Sequence, residues 1–255
     1  MVKKIKAEEK KLFPLGKILP AMITLASVVA GLTAILLASR GMFERAVIAI
    51  ILAAVFDGFD GRVARMFKSA SQFGVELDSL ADSISFGVAP AFILFFFSAN
   101  EIKSIGWLAT VIYAICCVLR LARFNTMTGN ENVPSYWNSF FTGIPAPGGA
   151  LLVLSPVSLF LATGEEVFIH PVLSVMLLLI VGFLMISRVP TLSLKKIKLS
   201  REEISPVMIL FIITLVLLYF HFWYAISVIS ILYFFTIPLT VRKFIKARKE
   251  YNEAV

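Results

Sequence analysis

The sequence predicts an all-α, polytopic integral membrane helix bundle, with about eight transmembrane helices and an N-terminal interfacial amphipathic helix. Three observations carry that expectation. Hydrophobic residues make up 59% of the 255 and mean hydropathy is +0.90, whereas a soluble domain of this size is nearer half apolar. The apolar residues fall in runs of roughly 20, the length a helix needs to cross a bilayer. Lys and Arg gather beside alternate runs, the charge bias that orients membrane chains.

Residues 1–17 are basic and amphipathic, with Lys3, Lys4, Lys6, Lys10, Lys11 and Lys17 among Leu12, Phe13 and Leu15. They lack the small-residue cleavage site of a signal peptide and read as a helix lying on the membrane surface. The first span is 18–39. The run 43–55 is too short alone and continues through a charged stretch to about 68. The third span is 77–98, entering with an acidic end, and the fourth is 105–124. The polar segment 125–142 carries Gly129, Pro134 and the pair Tyr136 and Trp137, as an interfacial loop does. Spans five to eight are 144–163, 171–187, 206–220 and 223–241. With the N-terminus in the cytoplasm, only Arg40, Arg45 and Lys103 of the 24 Lys and Arg residues fall outside cytoplasmic segments. The bias therefore puts both termini in the cytoplasm.

Other features add little chemistry. Cys116 and Cys117 are adjacent in an apolar run. Neighbours on a helix point apart, so both read as lipid- or core-facing thiols without a disulfide between them. His170 and His221 stand at run ends and read as polar anchors. The net charge of +8 could suggest nucleic acid. In a membrane chain it reports topology and attraction to anionic lipid first, so membrane lipids and no nucleic acid are the expected partners.

The informative stretch is 57–82, DGFDGRVARMFKSASQFGVELDSLAD. Asp57, Asp60, Asp78 and Asp82 form two pairs at spacings of three and four residues, which place side chains on one helix face. At about 100° per residue, Asp57, Asp60, Gly61 and Ala64 share one arc, and Gly74, Asp78, Asp82 and Ser85 share another. Packed antiparallel through these faces, two helices bring four carboxylates together at or near a membrane. There carboxylates are costly and repel one another, and bound divalent metal is the simplest resolution. Asp57 and Asp60 alone would read as a solvated helix end, and Gly61 and Ala64 alone as small-residue packing.

The pattern Asp57-x2-Asp60-Gly61-x2-Ala64-Arg65-x8-Gly74-x3-Asp78-x3-Asp82 resembles the full signature of the CDP-alcohol phosphotransferases. The continuation LDSLADSISFGVAP, with RLARFN (120–125), FTGIPAP (141–147) and SRVPTLS (187–193), is similar to the phosphatidylserine synthase branch. The resemblance runs from about residue 18 to residue 200. It implies a six-helix core, hence a basic juxtamembrane segment at 1–17, a core at 18–194, and an added part at 195–255 with a charged hinge, two helices and a basic tail. It further implies transfer of a phosphatidyl group from CDP-diacylglycerol to L-serine with release of CMP, two divalent cations (Mg²⁺ or Mn²⁺), a homodimer, and a site on the cytoplasmic face of a prokaryotic inner membrane. Carried over residue by residue, Asp57, Asp60, Asp78 and Asp82 are metal ligands and Asp82 is also the general base. Gly61 and Ala64 leave room for cytidine, Arg65 suits phosphate, Ser71 matches a CDP-lipid contact, and Gly74 permits close approach of backbone or phosphate. Thr24 belongs to the nucleotide-facing part of the first helix, although Ala21 and Ser27 depart from the family pattern there.

For the serine carboxylate the candidates are Arg120 and Arg123, then Asn125, Ser83 and Ser85. The two arginines also fit a plainer role as snorkelling anchors. Two other functions compete. The first keeps this chemistry with glycerol phosphate, inositol phosphate or choline as acceptor, and a phosphorylated acceptor should need an extra basic cluster. The second is a membrane cation transporter, which predicts acidic residues strung along a path where this sequence clusters them at one depth.

Overall fold

A computed structural model describes residues 15–67, 71–127, 140–192 and 201–254. The interfacial helix expected at 1–17 falls almost wholly outside the described residues, as does the segment 128–139. The described residues are helical nearly throughout: α1 (Leu15–Ser39), α2 (Phe43–Met66), α3 (Gln72–Asp82), a π-helical turn Ser83–Val88, α4 (Ala89–Phe97), α5 (Lys103–Met127), α6 (Ala146–Val153), α7 (Ser155–Thr163), α8 (Pro171–Ile186), α9 (Arg201–Phe220) and α10 (Phe222–Ala254). Among the described residues, five helical stretches are long and apolar enough to cross a membrane: Ile18–Ser39, Gln72–Phe97, Ala99–Thr126, Ala146–Thr163 and Phe222–Ile245. Leu25, Val29, Leu32 and Leu36 on α1, and Leu232, Phe235 and Leu239 on α10, face outward, as lipid-facing side chains do. The chain is an all-α integral membrane protein. The other three runs of the expected eight differ in kind. In α2, Glu44, Arg45, Asp57, Asp60, Arg62 and Arg65 share one helix, and the apolar parts of α8 and α9 are short, at Pro171–Ile186 and Ser205–Phe220.

Small residues set the packing. α1 lies along α2 through Ala34 and Ala38 against Ala46, Val47 and Ile50, and the core continues through Phe86, Ile93, Leu94, Tyr113, Val153, Val157, Leu178 and Met185. Dense contact of this kind holds helices together where lipid is as apolar as the side chains. The fifth expected span is broken at Leu154, where α6 gives way to α7 with Pro156 in its first turn. Proline cannot donate to the preceding turn, so it starts a helix more readily than it continues one.

One feature escaped the sequence reading. β1 (Phe140–Thr142) and β2 (Pro190–Leu192) pair antiparallel, Phe141 opposite Thr191. They draw together two of the stretches that carry the family resemblance. Gly143 follows β1 at φ +74°, its N–H donates to the Val189 carbonyl at 2.8 Å, and its carbonyl accepts from the Thr191 hydroxyl at 2.8 Å. A Cβ there would collide with the Met185 carbonyl, so both the backbone angle and the space demand glycine.

Candidate active site

The site forms where the charged end of α2 meets the start of α3 and the first turns of α1. Ser71 caps α3: its hydroxyl accepts from the Gly74 N–H at 3.1 Å, satisfying one of the orphan donors of the first turn. The cap starts the helix at Gln72 rather than at 77, so Gly74, Asp78 and Asp82 ride on one helix. The carboxylates of Asp57, Asp60 and Asp78 offer oxygens that all lie within 4.8 Å of one another. Asp82 stands outside that triad and beside Asp57, while Asp78 stands beside Asp60. Asp60 is the most enclosed, 5% exposed, and takes a hydrogen bond from the Thr24 hydroxyl at 2.7 Å.

A cavity of about 750 Å³ opens from the triad between α1, α2 and α3. Thr24, Gly61, Ala64, Arg65, Ser71 and Gly74 all line it, together with Asp60 and Asp78 of the triad. These are the six residues expected to hold the CDP-lipid. A Cβ at Gly61 would meet nothing within 4 Å, so glycine at that position keeps the cavity open rather than packing helices. At Gly74 the nearest atom to a Cβ would be the Ser71 hydroxyl at 3.4 Å, so close approach of another backbone is not its role. Ala21, which departs from the family pattern, also lines the cavity, as do Ile18, Phe73 and Val75. These apolar wall residues carry no motif that a sequence reading could single out.

The acceptor candidates are scattered. Arg123 reaches α8: Nη1 donates to the Ile186 carbonyl at 2.7 Å and Nη2 to the Ser187 carbonyl at 3.2 Å. It therefore caps the end of that helix rather than snorkelling or facing the aspartates. Ser85 is fully buried against α1, donating to the Ser27 carbonyl at 3.1 Å and meeting the Ser27 hydroxyl at 3.2 Å. A π-helical turn, Ser83–Val88, begins directly after Asp82 and seats Ser85 against α1, outside the lining of the large cavity. Ser83 turns back to the Leu80 carbonyl at 2.7 Å, and Asn125 donates through Nδ2 to the Ser79 hydroxyl at 2.9 Å, tying α5 to α3. Arg120 lies within electrostatic range of Asp82. Cys116 and Cys117 are free and buried.

Clustered carboxylate oxygens without nitrogen or sulfur donors suit a hard divalent cation, and the triad fits that demand.

Residues 17–187 match the family model for CDP-alcohol phosphatidyltransferase. The chain is 42% identical over 149 residues to a CDP-diacylglycerol–serine O-phosphatidyltransferase of Mycobacterium tuberculosis, covering 58% of this chain and 52% of that protein. It is 36% identical over 185 residues to a protein of the same name from Helicobacter pylori, covering 70% and 73%. To an archaetidylserine synthase of Methanothermobacter thermautotrophicus it is 36% identical over 173 residues, covering 67% and 68%. The matched region spans about half the length of the mycobacterial relatives. With Asp60, Gly61, Ala64, Arg65, Gly74 and Asp78 of its eight-position signature lining one cavity and two thirds of its length matched, the chain belongs to the CDP-alcohol phosphatidyltransferase family.

Proposed function

We propose that the protein transfers the phosphatidyl group of CDP-diacylglycerol to the hydroxyl of L-serine, giving phosphatidylserine and CMP. The observation that carries this reading is the aspartate triad, two of whose members, Asp60 and Asp78, line a cavity walled by Gly61, Ala64, Arg65 and Ser71. The names of the relatives support serine as the acceptor.

In this reading the cytidine lies against Gly61 and Ala64, where the wall lacks bulk. Arg65 and Ser71 hold the phosphates by charge and hydrogen bond. Thr24 acts through Asp60, fixing its carboxylate. Asp57, Asp60, Asp78 and Asp82 would hold two divalent cations, Mg²⁺ or Mn²⁺, which supply charge stabilisation at the pyrophosphate. Asp82, beside Asp57 and within electrostatic range of Arg120, accepts the proton of the serine hydroxyl. The hydroxyl oxygen bonds to the lipid-bearing phosphorus as the bond from that phosphorus to the CMP oxygen breaks. Arg120 binds the serine carboxylate.

The wider assignments belong to the same reading. The core at 18–194 carries the reaction, 195–255 is an addition to it, and the chain crosses a prokaryotic inner membrane eight times with both termini and the site in the cytoplasm. The copies pair as homodimers. The charge distribution supports the topology, and family resemblance supports the dimer. The deciding experiment gives the purified protein CDP-diacylglycerol, Mn²⁺ or Mg²⁺ and one labelled acceptor at a time: serine, glycerol phosphate, inositol phosphate or choline. Phosphatidylserine as the dominant product supports the assignment, and a different phospholipid overturns it.

A further inference from the structure

Two buried polar atoms lack a hydrogen-bond partner among the described residues: Nε of Arg120 on α5 and the hydroxyl oxygen of Tyr233 on α10. Such atoms are rare in folded proteins, because each gives up its hydrogen bond to water and gains nothing in return. Here the two belong together. The Arg120 guanidinium lies within electrostatic range of both the Tyr233 phenol and the Asp82 carboxylate. The fold is shaped to admit the phenol. A Cβ at Gly148 on α6 would stand 2.7 Å from the Tyr233 hydroxyl oxygen and 2.9 Å from its ring. The other phenol near this guanidinium is engaged elsewhere, Tyr113 donating to the Phe86 carbonyl at 3.1 Å. Asp60 and Asp78 line the large cavity, whereas Asp82, Arg120 and Tyr233 do not.

We propose that Arg120 and Tyr233 together bind the carboxylate of the acceptor, so that α10, outside the matched family region, takes part in choosing the acceptor. The proposal deepens the phosphatidyl-transfer reading and rests on it. A guanidinium N–H and a phenolic O–H converging in a low-dielectric interior make a strong anion site once an anion accepts from both. An α-amino acid bearing its hydroxyl on the carbon next to the one carrying the carboxylate offers, in one small molecule, an anion for that pair and a hydroxyl for Asp82. The pair binds and orients, while the hydroxyl proton goes to Asp82. An acceptor without a carboxylate leaves two buried donors unpaired, which is the arrangement that discriminates most sharply against such a molecule.

The test is steady-state transfer from CDP-diacylglycerol, with Mn²⁺, to L-serine, L-serinamide or ethanolamine, for the wild type and Tyr233→Phe. The variant removes one oxygen and keeps the ring against Gly148. The expected result is a rise of about tenfold in KM for L-serine, the scale of one hydrogen bond to a charged group. KM for CDP-diacylglycerol stays unchanged, and the preference for serine over serinamide falls by the same factor. Gly148→Ala, which crowds the phenol from α6, moves the serine KM in the same direction. An unchanged serine KM in Tyr233→Phe overturns the proposal. So does an equal loss toward serinamide, or a parallel rise in KM for CDP-diacylglycerol. A wild type that transfers to serine while Tyr233→Phe behaves identically overturns the carboxylate pair alone. A wild type that never uses serine overturns the transfer reading and the pair with it.

Discussion

The four aspartates are alike in sequence and unlike in place. Asp57, Asp60 and Asp78 close to within 4.8 Å, while Asp82 stands beside Asp57 with Arg120 in range. If the triad holds metal, chelation with EDTA abolishes transfer, and Mg²⁺ or Mn²⁺ restores it. Asp57→Asn lowers the rate by roughly a thousandfold or more, the scale of losing a charged catalytic group. A chelated enzyme with full activity would refute the metal assignment. The difference between Asp82 and the triad is open to a paired measurement: CDP-lipid binding across metal concentrations, and single-turnover transfer to serine. Asp82→Asn is expected to keep the first and lose the second, whereas Asp60→Asn weakens both. Near-normal transfer by Asp82→Asn would place the base elsewhere. Asp57, Asp60, Gly61, Ala64, Gly74 and Asp78 were readable in advance because fixed spacing on two helices converts directly into a shared face, whereas Thr24, Arg65 and Ser71 were legible only through the family resemblance. Ser85 and Arg123 were not, since one depends on a local π-helical turn and the other on a carbonyl contributed by α8.

Among the elements, α8 depends on a side chain from α5. Arg123 holds the Ile186 and Ser187 carbonyls, and charged hydrogen bonds of this kind each contribute about 1.5–3 kcal/mol. Arg123→Leu is expected to lower the thermal unfolding midpoint in detergent while leaving KM for serine unchanged in the folded fraction. A selective rise in that KM with unaltered stability would return Arg123 to the acceptor site. The helical runs themselves follow from apolar length and were visible from the sequence. The pairing of Phe140–Thr142 with Pro190–Leu192 was not, because three-residue strands far apart in sequence have no local periodicity to reveal them.

At the scale of the molecule, apolar length alone identifies five crossings among the described residues, whereas the charge distribution argues for eight. The disagreement arises because α2 carries the site's own charges and α8 and α9 have short apolar stretches. A reporter fused after Val255 is expected in the cytoplasm, and one inserted near Glu165 on the opposite side. A C-terminus found outside would mean an odd number of crossings.

The apolar wall of the cavity bears on how a lipid substrate arrives. Ile18, Phe73 and Val75 line it and are exposed. If the cavity takes the CDP-lipid as proposed, the lipid enters past these apolar side chains from within the membrane, and the encounter is a search in two dimensions. Velocity should then track the mole fraction of CDP-diacylglycerol in mixed micelles. Added inert detergent at fixed total substrate should slow the enzyme by dilution within the surface, and the rate should recover when the mole fraction is restored.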